Sequence, residues 1–580
     1  MAGQHAILLG ASAALVALMQ LGVTVHAQGP GEGVFAGWGP AMSEYSFPGV
    51  PYSGPNFTVA LAQFASGTSM PANVDRIVEM VYDAAARGAQ VVAFPEMAVT
   101  GYYVHSIKNA TQAQLTAAED TIATACGGAH IHCIIGVPHF YSDTEWYNTA
   151  LVISSAGQRI YRQAKLCTCC EQDGTPGEWA GTFELDGITC GVEICADVMC
   201  MEVAKLAALR GAQVLFHISW EFDLSWERMI PGARALSQTR AQENQMFVVY
   251  TNAAQTLIRN EEHALGGPNP FQGSHGQSRV VDPNGIILAE APMFGDVLLV
   301  QRLDMRLAPS IGWGNDTLHH PLFASWWKRG LDTLRPMPLT LSDSHKPAVS
   351  MHARDGAIPG VPSVVDDDVP NTQPTTLRVA TAQAITGANV TANVQRMQEF
   401  VRQAARQSAR VVIFPEEVVS SYNTTNIAST PQSVFDAAES ALSKECAAAS
   451  IYCLIGIPRF YNKTNWHNTA LLIDPQGKKV YRQAKVYKCC PQDNTPGVWL
   501  DTFEIDGIRA SLQICFDEFH PEVAKLPTLN GTEILFFLHW EGDPRSEWKM
   551  QTYRAMMSGR AYELGIPIVH ANAVRRIAKY

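Results

Sequence analysis

Residues 188–219 read ITCGVEIC (188–195), a short connection, MEVAKLAALRG (201–211) and AQVLFHIS (212–219). An apolar run, an amphipathic run that ends on glycine and a second apolar run predict a strand, a helix and a strand. The same alternation is present from FTVALAQF (57–64) onward. Strands that alternate with helices predict an α/β fold.

The whole pattern occurs twice along the chain. Several motifs recur at one constant offset of 320 residues, which is the difference between Cys195 and Cys515. The matching pairs are FPE 94–96 and 414–416, YRQAK 161–165 and 481–485, and Cys195 and Cys515. A match over this length indicates a tandem duplication of whole domains rather than a short repeat.

The duplication predicts two domains, over residues 56–329 and 377–580. Between them, residues 330–376 contain many prolines and no hydrophobic period, which predicts a linker. Copy one continues into GSHGQSRVVDPNG (273–285), where we expect strands and a turn that copy two, ending at Tyr580, does not match. Copy two is therefore expected to lack part of its sheet, as a truncated product or an incomplete gene model would.

The composition excludes some classes of partner. The chain has 580 residues, and its 54 acidic and 42 basic residues give a net charge of −12. A negative chain without a long basic run is not expected to bind nucleic acid or an anionic membrane surface. A small neutral ligand is compatible with this charge.

The N-terminus predicts export. The apolar run AILLGASAALVALMQLGV (6–23) is followed by small residues up to Ala27, which indicates a signal peptide over 1–27. The alternative is an uncleaved membrane anchor, because the run is nearly long enough to span a bilayer. Sequons for N-glycosylation favour the secretory route. They begin at Asn56, Asn109, Asn315, Asn389, Asn423, Asn462 and Asn530.

The 13 cysteines fit an oxidising compartment, and their odd number leaves at least one thiol out of intrachain pairs. Cys126 and Cys133 recur as Cys446 and Cys453, which predicts one local disulfide in each copy, with buried thiols as the alternative. Several other cysteines have no assigned partner. They are Cys167, Cys169, Cys170, Cys190, Cys200, Cys489 and Cys490. Zinc sites usually combine two CxxC pairs, or one CxxC pair with a histidine pair at H-x₃₋₅-H spacing, and the chain lacks both patterns, so we expect no metal site.

Three reactive residues follow predicted strands in each copy: Glu96, Lys165 and Cys195. The carboxyl ends of strands in an α/β sheet are where ligands bind. Singly, such residues are usually a loop acid, a surface lysine and a core thiol. Their recurrence as Glu416, Lys485 and Cys515 favours a shared chemical role, and the recurrent C-x-D includes Asp197.

The order FPE, then lysine, then C-x-D resembles the nitrilase, or carbon-nitrogen hydrolase, superfamily. The resemblance implies an α-β-β-α sandwich in each copy and a Glu-Lys-Cys triad at Glu96, Lys165 and Cys195 and at their equivalents in copy two. It implies hydrolysis of non-peptide C–N bonds in small linear amides, without a metal or an organic cofactor. Secretion and glycosylation resemble the vanin and biotinidase branch, although nothing marks a particular substrate pocket.

The chemistry of the triad is consistent with these residue types. A thiol needs a base for its proton and a cation near the thiolate, which Glu96 and Lys165 supply. Lys165 and the backbone N–H of Ala196 are candidate donors to an oxyanion. Glu145 is a candidate auxiliary acid, although copy two has Asn465 there.

Two questions about the assembly and activity stay open. Family members commonly pair two sandwiches, so we expect the copies to pack as an intrachain pseudo-dimer, and a homo-oligomer is also compatible. The alternative function is a catalytically inactive binding or structural protein. Whether copy two is active is not decided by its triad alone.

Overall fold

The computed structural model describes both copies and leaves out the predicted signal peptide and most of the predicted linker. The described residues are 56–142, 145–168, 174–221, 231–254, 274–309, 312, 314–339, 376–462, 465–488, 495–541 and 547–574. Cys169, Cys170, Cys489 and Cys490 lie outside these ranges, so the structure does not address their partners.

The described part of copy one alternates strands and helices as predicted. The strands are β1 (Asn56–Gln63), β2 (Val91–Ala93), β3 (His132–Phe140), β4 (Trp146–Ile153), β5 (Arg159–Ala164), β6 (Phe183–Leu185), β7 (Ile188–Ile194), β8 (Val214–Ser219), β9 (Phe247–Asn252), β10 (Arg279–Val281), β11 (Ile287–Glu290) and β12 (Val297–Asp304). The helices are α1 (Met70–Ala86), α2 (Val104–Lys108), α3 (Gln112–Ala129), α4 (Met201–Leu209), α5 (Pro231–Asn244), α6 (Gly314–His319) and α7 (Ala324–Thr333).

These strands form two six-stranded sheets, in the orders β12-β1-β2-β3-β4-β5 and β11-β10-β9-β8-β7-β6. The inner faces bury a common core that includes Leu61 and Ile134 of one sheet and Val192 and Phe216 of the other. Helices α1 and α3 cover the outer face of the first sheet, and α4 and α5 cover that of the second. Copy one is therefore the predicted α-β-β-α sandwich, because each sheet has two apolar faces to bury.

Copy two repeats this architecture with fewer described strands. Its strands are β13 (Val379–Thr381), β14 (Val411–Ile413), β15 (Tyr452–Phe460), β16 (Trp466–Ile473), β17 (Lys479–Ala484), β18 (Phe503–Ile505), β19 (Ile508–Ile514), β20 (Ile534–His539) and β21 (Ile568–Asn572). Its helices are α8 (Val390–Arg406), α9 (Thr424–Ser429), α10 (Gln432–Ala449), α11 (Glu522–Leu529) and α12 (Glu547–Leu564). The sheets have five and four strands, in the orders β13-β14-β15-β16-β17 and β18-β19-β20-β21.

The difference between the copies lies at the sheet edges. In copy one, β12 pairs antiparallel with all eight residues of β1, from Asn56 opposite Asp304 to Gln63 opposite Val297. The equivalent β13 has three residues, which are partly exposed, and pairs only with β14 in the described sheet. The structure thus confirms, for the residues it describes, that copy two has less sheet than copy one.

Helix α7 continues to Thr333, a few residues past the predicted domain boundary at residue 330. The Arg210 guanidinium donates to the C=O of Leu331 and of Leu334, both at 3.1 Å, and so binds the helix end to α4. Positive side chains at the last carbonyls stabilise a helix C-terminus. This tertiary contact was not readable from local composition.

The two copies are in contact through α5 and α12. Gly232 allows the close approach, since a Cβ there would lie 2.5 Å from the Tyr562 Cβ. Arg240 donates to Glu563 at 2.7 Å, and Arg560 donates to Glu243. Residues 240 and 560, and 243 and 563, are equivalent at the offset of 320, so each copy contributes the same arginine and glutamate.

Candidate active site

The site of copy one begins where Glu96 leaves β2. Pro95 keeps Phe94 extended, and the Phe94 N–H donates to the C=O of Ile134 at 2.8 Å. Gly136 of β3 lets this backbone pass, because a Cβ there would lie 2.6 Å from the Glu96 Cα. The position of the Glu96 backbone is therefore set by the sheet itself.

The Glu96 carboxylate is fully buried and accepts hydrogen bonds from three donors. Lys165 Nζ donates to Oε1 at 2.9 Å, and Asn148 Nδ2 donates to the same oxygen at 2.7 Å. The backbone N–H of Trp220 donates to Oε2 at 2.9 Å. A buried charge of this kind persists only where it is paired and hydrogen-bonded. The structure thus brings Glu96 and Lys165 together.

Two of these three donors were not predicted from the sequence. Asn148 and Trp220 have their own signal, because both recur at the offset of 320, as Asn468 and Trp540. Neither residue type suggested a contact with Glu96, since an asparagine in a strand and a backbone N–H have many alternative partners.

Cys195 lies directly after β7, at the first residue of a 3₁₀ turn over Cys195–Met199. Its φ is 47°, a left-handed conformation that is uncommon for a residue with a side chain and is concentrated at functional turns. The residue is 9% exposed and forms no disulfide with another described cysteine. The turn therefore presents a thiol at the strand end, as predicted.

Asp197 joins this turn to the segment after Lys165. Its Oδ1 accepts the N–H of Leu166 at 2.9 Å and of Cys167 at 2.7 Å, and its Oδ2 accepts the N–H of Ile194 at 3.0 Å. Burial raises the pKa of Asp197 to about 7, and these N–H groups act in the opposite direction. The aspartate of the C-x-D motif is thus a structural link.

Strand register places the Cys195 turn beside Glu96. Strand β7 is parallel to β8, with Ile194 opposite Ile218, so Cys195 and Trp220 follow neighbouring strands at one sheet edge. The Trp220 N–H holds Glu96. Trp220, which follows the neighbouring strand, contacts Glu96, and Asp197, which lies in the cysteine turn, contacts the segment after Lys165. Cys195 therefore lies next to the Glu96–Lys165 pair.

Copy two repeats this arrangement except at the second carboxylate oxygen, because among the described residues Glu416 Oε2 accepts no hydrogen bond where Glu96 Oε2 accepts the Trp220 N–H. Lys485 Nζ donates to Glu416 Oε1 at 2.9 Å, and Asn468 Nδ2 donates to that oxygen at 2.7 Å. Cys515 has a φ of 49° and is partly exposed. Asp517 accepts backbone N–H groups on both sides of the link, as Asp197 does. The duplicated motif therefore produces a duplicated geometry.

A family model described as carbon-nitrogen hydrolase matches residues 58–310 and 378–579. The chain belongs to the carbon-nitrogen hydrolase family. The two matched regions confirm the predicted tandem duplication.

Relatives of this carbon-nitrogen hydrolase match a length close to one copy. A 2-oxoglutaramate amidase of Bacillus subtilis (strain 168) is 27% identical over 238 residues, which cover 40% of this chain and 86% of the relative. Omega-amidase NIT2 of Homo sapiens is 26% identical over 275 residues, which cover 43% of this chain and 92% of the relative. A solved amidase from Nesterenkonia sp. is 24% identical with a TM-score of 0.38 and covers 43% of this chain and 90% of its own.

The two copies of this carbon-nitrogen hydrolase hold the lysine loop to the cysteine turn in different ways. In copy one a disulfide joins Cys167 to Cys200. In copy two the equivalent residues are Tyr487 and His520, whose rings stack with centroids 3.4 Å apart and an interplanar angle of 4°. The Tyr487 hydroxyl also donates to Glu522 Oε1 at 2.5 Å. A disulfide in copy one and a ring stack in copy two thus link equivalent positions of the two copies.

The remaining described cysteines divide into two groups. Disulfides join Cys126 to Cys133 and Cys446 to Cys453, as predicted. Cys190 stays a fully buried thiol in β7. Cys167 and Cys200, which had no partner assigned from the sequence, bond to each other.

We expect Cys167→Ser/Cys200→Ser to lower the stability of copy one by about 2–4 kcal/mol, because the disulfide closes a loop of 33 residues. Cys167→Tyr/Cys200→His places the copy-two residues at these positions and is expected to recover part of the loss. Urea denaturation of the full chain measures both. An unchanged midpoint in the serine variant would show that this bond does not stabilise the loop.

The structure does not bring Glu145 to the Glu96–Lys165 pair. Glu145 is exposed, and its carboxylate accepts the Ser142 hydroxyl at 3.4 Å inside the turn between β3 and β4. The short turn uses the acid for its own hydrogen bonds, so we leave Glu145 out of the proposed machinery. Ala196 is the second residue of the 3₁₀ turn, and its N–H stays a predicted oxyanion donor.

The described residues contain no group of three or more His, Cys, Asp or Glu side chains placed to hold a metal ion. Within the same ranges, every helix is too short or too polar to cross a bilayer.

Proposed function

We propose that this chain hydrolyses small linear amides through a thioester on Cys195 in copy one and on Cys515 in copy two. The observation that carries the proposal is the buried contact between Glu96 and Lys165 at 2.9 Å, beside the strained turn at Cys195. Burying a charged acid and a charged amine costs desolvation free energy, and a structural role alone does not explain why both lie next to a thiol. The named relatives are amidases, which supports this reaction class.

In the first half of the reaction, the Cys195 thiolate attacks the carbonyl carbon of the amide. Glu96 takes the thiol proton, and the developing oxyanion is stabilised by the Lys165 ammonium and the Ala196 N–H. The C–N bond then breaks, and Glu96 returns the proton to the leaving ammonia or amine. The acyl group stays on sulfur as a thioester.

In the second half, water replaces the amine. Glu96 takes a proton from the water, whose oxygen attacks the thioester carbon with the same oxyanion donors in place. The C–S bond breaks, the proton returns to sulfur, and a carboxylic acid leaves. One amide and one water give one acid and one amine, so neither a redox step nor a cofactor is needed.

A panel of linear primary amides tests this proposal. We expect ammonia release from one or more of them, together with an acyl adduct on Cys195 or Cys515 that hydroxylamine removes and mass spectrometry assigns. Cys195→Ala and Cys515→Ala each delete one adduct and serve as matched controls. Amide turnover that survives in the double variant would contradict the mechanism.

The amide panel, together with iodoacetamide labelling, also tests the alternative that the chain is an inactive binding or structural protein. An inactive binding or structural protein would bind amides without releasing ammonia, and its two cysteines would react with iodoacetamide no faster than a surface thiol. Turnover with an adduct on one copy alone would assign the activity to that copy.

We also propose that the two copies act as an intrachain pseudo-dimer. Support comes from the exchanged contacts Arg240–Glu563 and Arg560–Glu243, which are related by the repeat offset as in a two-fold interface. Further support comes from α6, α7 and the residues between them, where His320 Nε2 lies 3.1 Å from the C=O of Val486, the residue after Lys485. A homo-oligomer would require an additional surface.

We propose, finally, that the protein is exported and glycosylated. The three disulfides between described cysteines fit an oxidising compartment. Sequon asparagines on the described surface are exposed. They are Asn56, Asn109, Asn389, Asn423, Asn462 and Asn530. We expect peptide N-glycosidase F to lower the mass of protein secreted from eukaryotic cells, and an unchanged mass would contradict glycosylation.

A further inference from the structure

A row of buried polar side chains crosses the second sheet of copy one beneath the Cys195 turn. Register pairs Glu193 of β7 with His217 of β8, His217 with Tyr250 of β9, and Tyr250 with Arg279 of β10. All four residues are at most 2% exposed. Such a row is unusual for the centre of a sheet, where apolar side chains are the rule.

Glu193 and His217 form the end of this row nearest the proposed nucleophile. Glu193 Oε1 and His217 Nδ1 are 3.4 Å apart, and neither residue is exposed by more than 2%. Glu193 lies in β7, two residues before Cys195, and the His217 ring lies against the Cys195 backbone. The pair is therefore directly behind the turn that presents the thiol.

Burial is the main influence on the Glu193 carboxyl and raises its pKa to about 8. Arg240 opposes this shift, while Asp197, Glu243 and Glu563 add to it. These acidic neighbours are buried too. At neutral pH Glu193 is therefore a protonated acid that can donate its O–H.

The imidazole of His217 is neutral at neutral pH and can accept a hydrogen bond from Glu193. Burial lowers its pKa to about 4. Arg279 and Arg240 act on the pKa in the same direction as burial, whereas Glu221 and the Cys195 backbone act in the opposite direction. A neutral ring accepts a hydrogen bond at one nitrogen and donates at the other. Glu193 Oε1 is 3.4 Å from Nδ1, a distance at which a protonated Glu193 can donate to the ring.

Copy two provides a natural comparison. The equivalents of Glu193 and His217 are Gln513 and Phe537, neither of which titrates. Cys515 nevertheless has the same left-handed turn, with a φ of 49°. The turn therefore forms without the pair. Copy two has a different buried pair, Glu518 and His539, whose Oε1 and Nε2 are 4.0 Å apart. A variant at Glu193, and not the comparison of the copies alone, therefore isolates the effect of Glu193.

We propose that Glu193 and His217 are positioning residues that couple the reactivity of Cys195 to the proton they share, and that Cys515 lacks this coupling. The proposal rests on the proposed function of Cys195 as a nucleophile. When Glu193 loses its proton to solvent, a negative charge appears two residues from the thiol, and Glu193 no longer has a proton to donate to His217. A like charge disfavours the thiolate.

Iodoacetamide labelling of the full chain between pH 6 and pH 9, quantified for each cysteine peptide, tests the coupling. Both proposed nucleophiles are in one molecule, so the Cys195:Cys515 ratio of rates cancels the general effect of pH. We expect this ratio to fall about tenfold as pH rises through 8, the effect of about one pKa unit. In Glu193→Gln, which carries the copy-two residue, the ratio should stay constant.

A second readout does not depend on catalysis. Cys190 lies on the same strand as Glu193 and is fully buried, so its labelling reports opening of β7. Stability due to Glu193 is lost between its ordinary pKa of 4.5 and about 8, while His217 adds stability between about 4 and its ordinary 6.5. Up to about pH 6.5 the effects of Glu193 and His217 on the free energy of opening change with pH in opposite directions and cancel. Between about pH 6.5 and about pH 8 only the effect of Glu193 remains, so the free energy of opening falls.

Over that window of about 1.5 pH units, one proton changes an opening equilibrium about thirtyfold. We therefore expect the Cys190 labelling rate, relative to that of Glu193→Gln/His217→Phe at the same pH, to rise about thirtyfold. A constant ratio would overturn the proposal. So would a fall of the Cys195:Cys515 ratio that persists in Glu193→Gln.

The outcomes also separate this proposal from the proposed function. Fast labelling of Cys195 that runs parallel to Cys515 at every pH would overturn the coupling and leave the nucleophile in place. Labelling of Cys195 as slow as that of Cys190 would overturn both.

Discussion

Glu96→Gln is expected to lower amide hydrolysis by copy one about 10²- to 10⁴-fold when Cys515→Ala silences copy two. A glutamine cannot carry the proton between sulfur, ammonia and water. It also offers one acceptor oxygen where the carboxylate offers two to Lys165, Asn148 and Trp220. The measurement is kcat/KM for ammonia release from the best amide of the panel.

The control for this variant is another buried carboxylate of the same copy. Glu119 accepts from Arg162 Nη2 at 2.8 Å and is 2% exposed, so Glu119→Gln also leaves a buried cation without its carboxylate. The Glu119→Gln variant should be less stable than the unchanged chain, and it should keep its amidase activity at a temperature where it is folded. A reduction in Glu96→Gln of less than about tenfold, or an equal reduction in Glu119→Gln, would show that Glu96 does not transfer protons.

Arg560→Met is expected to destabilise the contact between the copies by about 3–5 kcal/mol. Arg560 is 2% exposed and donates to Glu243 of copy one and, at 2.9 Å, to Glu563 of its own helix. Its removal leaves two buried carboxylates to share Arg240. The cost comes from burying a charge without enough partners, not from the loss of a contact in water.

The double variant Arg560→Met/Glu243→Gln tests that explanation. Removing the stranded carboxylate together with the arginine is expected to recover much of the loss, whereas simple loss of packing would not be recovered. Urea denaturation followed by tryptophan fluorescence measures the shift in each variant. A shift below about 1 kcal/mol in Arg560→Met would contradict a tightly coupled ion network.

A feature could be predicted from the sequence when the residues that produce it lie close together along the chain. The Glu, Lys and Cys at strand ends were found because each follows a local apolar run and recurs at one offset. The bond between Cys167 and Cys200 was not found, because several cysteines were close in sequence and only the fold selects among them. Glu145 stays a prediction, and its nearness in sequence to β4 did not predict the contact of its carboxylate with the Ser142 hydroxyl.

The amino-acid sequence alone determined the duplication, the α/β class, the two local disulfides and the identity of the candidate residues. Each of these follows from periodicity, spacing or repetition along the chain. Only the tertiary structure decided that Asn148 and the Trp220 N–H hold Glu96, and that Glu193 and His217 lie behind Cys195. The physical reason is that a buried polar group is defined by its partners, and those partners come from strands that are distant in sequence and adjacent only after the sheets have formed.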